Sequence, residues 1–155
     1  MSPRIEAVLN AEGFRLPIVA SRWNEFVTNQ LVEGAARALR MHGLQDPEVV
    51  WVPGTWEIPI VAHRLLEEGA DGVVCVGCIL QGATIHATQL SNAVAAALAD
   101  LSLRMAKPIT WGVLTCATQE EAIERAGMKM GNKGEEAALA LLEVVCLRKG
   151  RTTHA

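Results

Sequence analysis

Short apolar runs alternate with longer amphipathic stretches along most of the chain. Four of the short runs are bounded by Gly, Pro or polar residues, a pattern typical of strands. They are Leu16–Ser21, Glu48–Val52, Gly72–Leu80 and Ile109–Leu114. The stretches between and after them favour helices, because apolar residues recur there at helical spacing. The predicted helices are Asn24–His42, Pro59–Glu68, an Ala-rich helix ending near Met105, Thr118–Arg125 and Glu135–Arg148.

This order of strands and helices predicts βαβ units, and hence a parallel sheet with helices on both faces. A chain of 155 residues suits a single domain, here 1–155. Residues 1–15 stand apart as an N-terminal arm in which Ile5–Leu9 is predicted to form a short strand with no partner inside its own domain. Residues 149–155 follow the last helix, and we expect them to be a flexible, solvated tail.

Composition excludes several classes of protein. Hydrophobic residues make up 50% of the chain, charged residues 20%, and the net charge is −3. A disordered chain and a nucleic-acid-binding protein are therefore not expected. No apolar run approaches the ~20 residues of a membrane helix, and the N-terminus does not resemble a secretory signal. We expect a cytoplasmic protein.

Two of the four cysteines, Cys75 and Cys78, form a C-x-x-C motif. A zinc site would need a second pair of ligands at matching spacing, which Cys116 and Cys146 do not supply. A redox motif would open a helix, whereas this one lies inside a predicted buried strand that sends the two thiols to opposite faces. We predict neither a metal site nor a redox role.

The chain has four Trp, two Phe and no Tyr. Ligands of parallel α/β sheets bind beyond the carboxyl ends of the strands, and we place Trp23, Trp56 and Trp111 at such ends. Trp51 lies within a strand. Three Trp at one edge favour a planar heteroaromatic ligand, because stacking adds to the burial of area. A single Trp would more often fill a core or a subunit contact.

The turn Gly82-Ala83-Thr84 leads from a strand into the Ala-rich helix, with Thr84 as a candidate N-cap. Free backbone N–H groups and the helix dipole favour an anion at such a turn. His86 follows in the first helical turn. Beside an anion site it is a candidate proton-transfer group, although a lone His at a helix start is more often structural.

Four collinear segments together resemble the 6,7-dimethyl-8-ribityllumazine synthase family over about residues 16–147. They are Ser21-Arg22-Trp23-Asn24, Val52-Pro53-Gly54-Thr55-Trp56-Glu57-Ile58-Pro59, Gly82-Ala83-Thr84-Ile85-His86, and Glu124-Arg125-Ala126-Gly127 with Gly131-Asn132-Lys133-Gly134. The resemblance implies a flavodoxin-like three-layer αβα sandwich with a four-stranded parallel core. It also implies that 5-amino-6-(D-ribitylamino)uracil condenses with 3,4-dihydroxy-2-butanone 4-phosphate, without a metal or an organic cofactor.

The resemblance assigns roles residue by residue. Trp23 corresponds to the aromatic residue that stacks on the pyrimidine, Trp111 to one supplied by the adjacent subunit, and Lys133 to a lysine near the pocket. The ribityl chain is held at Thr55, Trp56 and Glu57, and the ring edge at Cys78, Ile79 and Leu80. The phosphate is bound by Ala83, Thr84 and Arg125. His86 holds the catalytic proton-transfer position.

The resemblance further implies a homo-oligomer, either a pentamer or a multiple such as an icosahedral 60-mer, with active sites shared between adjacent subunits. The N-terminal strand would join a neighbour's sheet, and riboflavin synthase is a possible partner. The chain departs from the family at Gln81, where many members carry a basic residue, and at Ala87 and Thr88, where many carry an aromatic residue and an acid. A paralogue that binds lumazine or flavin without catalysis, or that mainly forms a shell, is therefore the alternative to an active enzyme.

Overall fold

A four-stranded parallel sheet forms the centre of the molecule. The computed structural model describes residues 2–82 and 85–154. The sheet contains β2 (Ile18–Ser21), β3 (Val49–Val52), β4 (Val73–Leu80) and β5 (Ile109–Cys116), in the spatial order β3-β2-β4-β5. All three pairings are parallel. The predicted parallel core sheet is confirmed, and β5 runs two residues further than its predicted end at Leu114.

Helices cover both faces of this sheet. They are α1 (Glu25–Met41), α2 (Ile58–Glu67), α3 (His86–Met105), α4 (Gln119–Glu124) and α5 (Lys133–Arg148). Side chains from α1, α4 and α5 share one buried cluster with alternate residues of β4, among them Val74 and Cys78. Residues of α2 and α3 share the other cluster with Val73 and Cys75. The predicted αβα sandwich is therefore confirmed. Within the described ranges, no helix is both long enough and apolar enough to span a membrane.

The glycine-rich segment before α5 forms a small hairpin of β6 (Ala126–Met128) and β7 (Gly131–Asn132). Gly127 and Gly131 have φ values of +115° and +76°, which glycine adopts at little cost. Gly134, in the first turn of α5, lies so close to the Leu31 carbonyl of α1 that a side chain would collide with it. The glycines therefore serve the turn and the close contact between α1 and α5.

The two ends of the chain pair with each other. Strand β1 (Ile5–Ala7) runs antiparallel to β8 (Thr152–His154), with Ile5 opposite His154. The expectation that the N-terminal strand has no partner in its own chain, and that the last residues form a free tail, differs from this structure. The pairing joins segments almost the whole chain apart, and local patterning carries no signal for such a contact.

Candidate functional site

Hydrogen bonds tie the loop that follows β2 to the carboxyl-terminal parts of β3 and β4. The Arg22 amide donates a 2.9 Å hydrogen bond to the Val52 carbonyl. The Asn24 side-chain Nδ2 donates a 2.9 Å hydrogen bond to the Cys78 carbonyl. Asn24 has a left-handed backbone, with φ 60°, and precedes α1. These two bonds fix the segment that carries Trp23.

A cavity of about 320 Å³ lies at these strand ends. Seven of the predicted site residues line it: Trp23, Thr55, Trp56, Glu57, Cys78, Ile79 and Leu80. Three further lining residues, Asn24, Gly54 and Leu90, were not assigned to the site from sequence. Asn24 and Gly54 stand in the segments that carry the family resemblance, and that position was the available signal. We call this space the Trp23 cavity.

The residues that line the Trp23 cavity differ in how exposed their side chains are. Trp23 and Trp56 are 72% and 66% exposed, so their rings present free apolar surface. Thr55, Cys78 and Ile79 are buried and form the floor. Large exposed aromatic rings beside a cavity are typical of a binding surface, because folding alone does not bury them.

Glu57 has a structural role as well as a position in the cavity. It ends the short 3₁₀ turn Thr55–Glu57, and its carboxylate Oε2 accepts a 2.9 Å hydrogen bond from the Gly54 amide. Helix α2 begins at Ile58, with Pro59 in its first turn, where the missing N–H costs nothing. The turn thus holds the carboxylate in place at the cavity.

A second cavity, of about 370 Å³, contains three of the remaining predicted side chains. Trp111, Arg125 and Lys133 line it together with Glu121 and the remainder of β5 from Gly112 to Cys116. We call this second space the Arg125 cavity. No described residue lines both the Arg125 cavity and the Trp23 cavity. Within one chain, the predicted site is therefore divided into two parts.

The prediction that Trp111 stands at a strand end is wrong. Trp111 is the third residue of β5, and all eight residues of β5 pair with β4. β5 is an edge strand of the sheet, and Trp111 is 36% exposed. Trp111 thus lies apart from Trp23 and Trp56, in the Arg125 cavity.

The Arg125 cavity has the chemistry of an anion site. The half-buried Arg125 follows α4, and its Nη1 donates a 3.2 Å hydrogen bond to the Glu121 carbonyl. Lys133 begins α5, with its Nζ 3.6 Å from a Glu136 carboxylate oxygen. Burial raises the pKa of the Cys116 thiol, and the positive charge of Arg125 acts in the opposite direction. A planar guanidinium and an ammonium on one cavity wall suit a phosphate group.

Residues on either side of positions 83–84 contact each cavity's lining or lie one turn from it. The Gln81 amide donates a 2.8 Å hydrogen bond to the carbonyl of Cys116, which lines the Arg125 cavity. Helix α3 begins at His86, an exposed residue, and Leu90 one turn later lines the Trp23 cavity. The predicted phosphate-binding residues Ala83 and Thr84 lie outside the described residues. His86 itself lines neither cavity.

The C-x-x-C motif lies in β4, and its two thiols face different core clusters, as predicted. Burial raises the pKa of the Cys78 thiol to about 12, with a smaller contribution from Cys116. Among residues 2–82 and 85–154, no group of three or more His, Cys, Asp or Glu side chains is arranged to hold a metal ion.

Fold and site together define an α/β protein of flavodoxin-like architecture, with one cavity flanked by exposed aromatic rings and another lined by cationic side chains. A family model described as 6,7-dimethyl-8-ribityllumazine synthase matches residues 13–149. A protein named 6,7-dimethyl-8-ribityllumazine synthase from Aquifex aeolicus (strain VF5) is 48% identical over 147 residues, which cover 93% of this chain and 96% of that protein. The chain belongs to the 6,7-dimethyl-8-ribityllumazine synthase family.

Proposed function

We propose that the chain is an active enzyme of riboflavin biosynthesis. It condenses 5-amino-6-(D-ribitylamino)uracil with 3,4-dihydroxy-2-butanone 4-phosphate and releases 6,7-dimethyl-8-ribityllumazine, phosphate and water. The observation that carries this proposal is the Trp23 cavity, where exposed indole rings adjoin a fixed carboxylate. A pyrimidine that bears a polyol chain needs this combination of a flat apolar surface and a hydrogen-bond acceptor.

In this proposal the pyrimidine stacks on Trp23, and its edge meets the ends of β4 at Cys78, Ile79 and Leu80. The ribityl chain runs past Thr55, Trp56 and Glu57. The butanone phosphate binds where Arg125 supplies a charged fork, together with Ala83 and Thr84. Lys133 and Trp111 complete the pyrimidine site from the Arg125 cavity.

The reaction requires only modest catalytic chemistry from the protein. The arylamine adds to the ketone and water leaves as the imine forms. Elimination of phosphate leaves an enol, which tautomerises to a second carbonyl. The ribityl-bearing amine adds to this carbonyl, and a second water leaves as the ring closes. Orientation of two bound reactants supplies up to ~7–11 kcal/mol of barrier reduction. His86 moves protons during imine formation and phosphate loss, a contribution of about 10²–10⁴-fold.

The active site is proposed to be shared between adjacent subunits. The division of the predicted side chains between two cavities without a common lining residue supports this arrangement. The open side of β5, where Trp111 lies, is a surface on which a second copy could place its Trp23 cavity. From the family we further propose that the chain forms a pentamer or a multiple of it, including a shell. The same proposal includes an association with riboflavin synthase and a cytoplasmic location.

The deciding experiment mixes the purified protein with both substrates and follows lumazine absorbance and phosphate release in parallel. We expect both signals to rise together, well above the spontaneous reaction measured without protein. If the protein bound the product but its rate equalled that background, the proposal of an active enzyme would be overturned in favour of a paralogue that only binds. The absence of both binding and turnover would overturn the proposal altogether.

A further inference from the structure

The edge of the Trp23 indole that faces the protein is its polar edge. A Cβ placed on Gly54 would lie 3.0 Å from Trp23 Cδ1 and 3.4 Å from Trp23 Nε1. The five-membered ring of the indole, with its N–H, therefore lies over Gly54. The side chain as a whole is 72% exposed, which leaves much of the ring surface free.

The Glu57 carboxylate also lies close to Gly54. Its Oε2 would lie 3.2 Å from that Gly54 Cβ, and it is held there by the Gly54 amide at 2.9 Å. An N–H donor and a carboxylate acceptor thus flank one glycine on the wall of the Trp23 cavity. Among residues 2–82 and 85–154, no acceptor is hydrogen-bonded to the indole N–H.

We propose that Trp23 binds the polyol chain as well as the ring, with its indole N–H donating to a ribityl hydroxyl that in turn donates to Glu57. A hydroxyl group both accepts and donates, so a donor and an acceptor at one site match it. This inference rests on the proposed function, because it assumes that the ribityl chain passes Glu57. It assigns Trp23 a specificity-determining contact that stacking alone does not provide and that phenylalanine could not make.

Gly54 is a necessary part of this arrangement. A methyl group 3.0 Å from Cδ1 is closer than ordinary carbon–carbon contact, so the indole edge would have to move away. Gly54→Ala should therefore separate the indole N–H from the carboxylate while keeping Trp23 itself. It provides a second variant that tests the geometry rather than the chemistry.

The test compares two ligands with the same ring. One is 6,7-dimethyl-8-ribityllumazine, and the other is 6,7,8-trimethyllumazine, in which a methyl group replaces the ribityl chain. Trp23→Phe keeps an aromatic ring but lacks the N–H. We expect it to weaken binding of the ribityl compound about two- to tenfold more than binding of the trimethyl compound. Gly54→Ala should show the same selective loss.

Trp51→Phe is the matched control, because Trp51 is half-buried in β3 and lies outside both cavities. It should leave both affinities unchanged. Equal losses for the two ligands in Trp23→Phe would overturn the inference and reduce Trp23 to a stacking residue, while turnover by the wild type would leave the proposed function intact. If the wild type neither bound nor formed ribityllumazine, the proposed function would fail first.

Discussion

The Asn24 side chain donates a 2.9 Å hydrogen bond to the Cys78 carbonyl and so joins the loop after β2 to the end of β4. Asn24 also has a left-handed backbone, with φ 60°. Asn tolerates that conformation better than most residues do, whereas it costs other L-residues about 1–2 kcal/mol. One residue thus holds the turn behind Trp23 through its side chain and its backbone.

These two contributions can be separated by substitution. Asn24→Gly removes the hydrogen bond but accepts the positive φ, and we expect a loss of about 1 kcal/mol in the free energy of unfolding. Asn24→Ala removes the bond and adds backbone strain, so it should be less stable by about a further 1 kcal/mol. Urea unfolding of both variants measures the difference. Equal stability of the two variants would show that the backbone conformation at this position contributes nothing.

Arg125→Ala is predicted to act on one substrate. Because Arg125 is proposed to contact the phosphate through charged hydrogen bonds, its removal should raise KM for the butanone phosphate about 10- to 100-fold. KM for the pyrimidine should change little. Arg104→Ala is the control, since Arg104 pairs with Asp100 on α3 outside the Arg125 cavity. Equal losses for the two substrates would contradict the assignment.

Much of the fold could be predicted from the sequence because its signals are local. The apolar run around β4 and the helical spacing in α1 each report on burial within one element. Thr118, predicted to cap a helix, accepts a 3.2 Å hydrogen bond from the Glu121 amide at the start of α4. The pairing of β1 with β8 could not be predicted, because it depends on a contact between the two chain ends.

The site residues were predicted mainly through the family resemblance, and seven of them come together in the Trp23 cavity. The polar edge of Trp23 over Gly54 could not be predicted, since it depends on a side-chain rotamer and a turn geometry. Trp111 was placed at a strand end although even the predicted strand, Ile109–Leu114, continues three residues beyond it. Its position on an edge strand could not be predicted, because strand order is a tertiary property.

His86→Ala is predicted to slow turnover about 10²–10⁴-fold and to leave product binding nearly unchanged. His86 is exposed at the start of α3, so its loss should not disturb the core. His63→Ala serves as the control, because His63 lies in α2 next to Glu67, outside the Trp23 and Arg125 cavities. Rate and product affinity are measured on the same preparations. A collapse of binding would make His86 a structural residue.

The four cysteines are predicted to be unreactive in the folded protein, since all four are buried. With burial raising the pKa of Cys78 to about 12, about one molecule in ten thousand carries this thiolate at pH 8. A thiol reagent at pH 8 should label the native protein slowly, and all four cysteines rapidly after unfolding in urea. Rapid labelling of one thiol in the native protein would contradict the buried environment.

The raised pKa of the Cys78 thiol also predicts a change in the stability of the protein at alkaline pH. The pKa of Cys78 is higher in the folded chain than its ordinary value of 9.0, which we take for the unfolded chain. Its contribution to stability is complete below the unfolded value and declines as pH rises toward about 12. Urea unfolding at pH 7 and pH 10 should show this decline, and Cys78→Ala should reduce it. An unchanged pH dependence in the variant would exclude Cys78 as its source.

Mixing two impaired variants, assayed at a butanone phosphate concentration below the wild-type KM, tests whether the Trp23 cavity of one chain works with the Arg125 cavity of another. Trp23→Ala damages only the first and Arg125→Ala only the second, because the cavities share no lining residue. If each active site takes one cavity from each of two adjacent subunits, random co-assembly in equal amounts leaves about a quarter of the sites intact in both halves. Co-expressed variants should then regain about a quarter of the wild-type activity, whereas separately purified ones should not.

If both cavities of a site came from one chain, every site would carry a defect and co-expression would restore nothing. Recovery would therefore place the active site between subunits, and its absence would place the site within one chain.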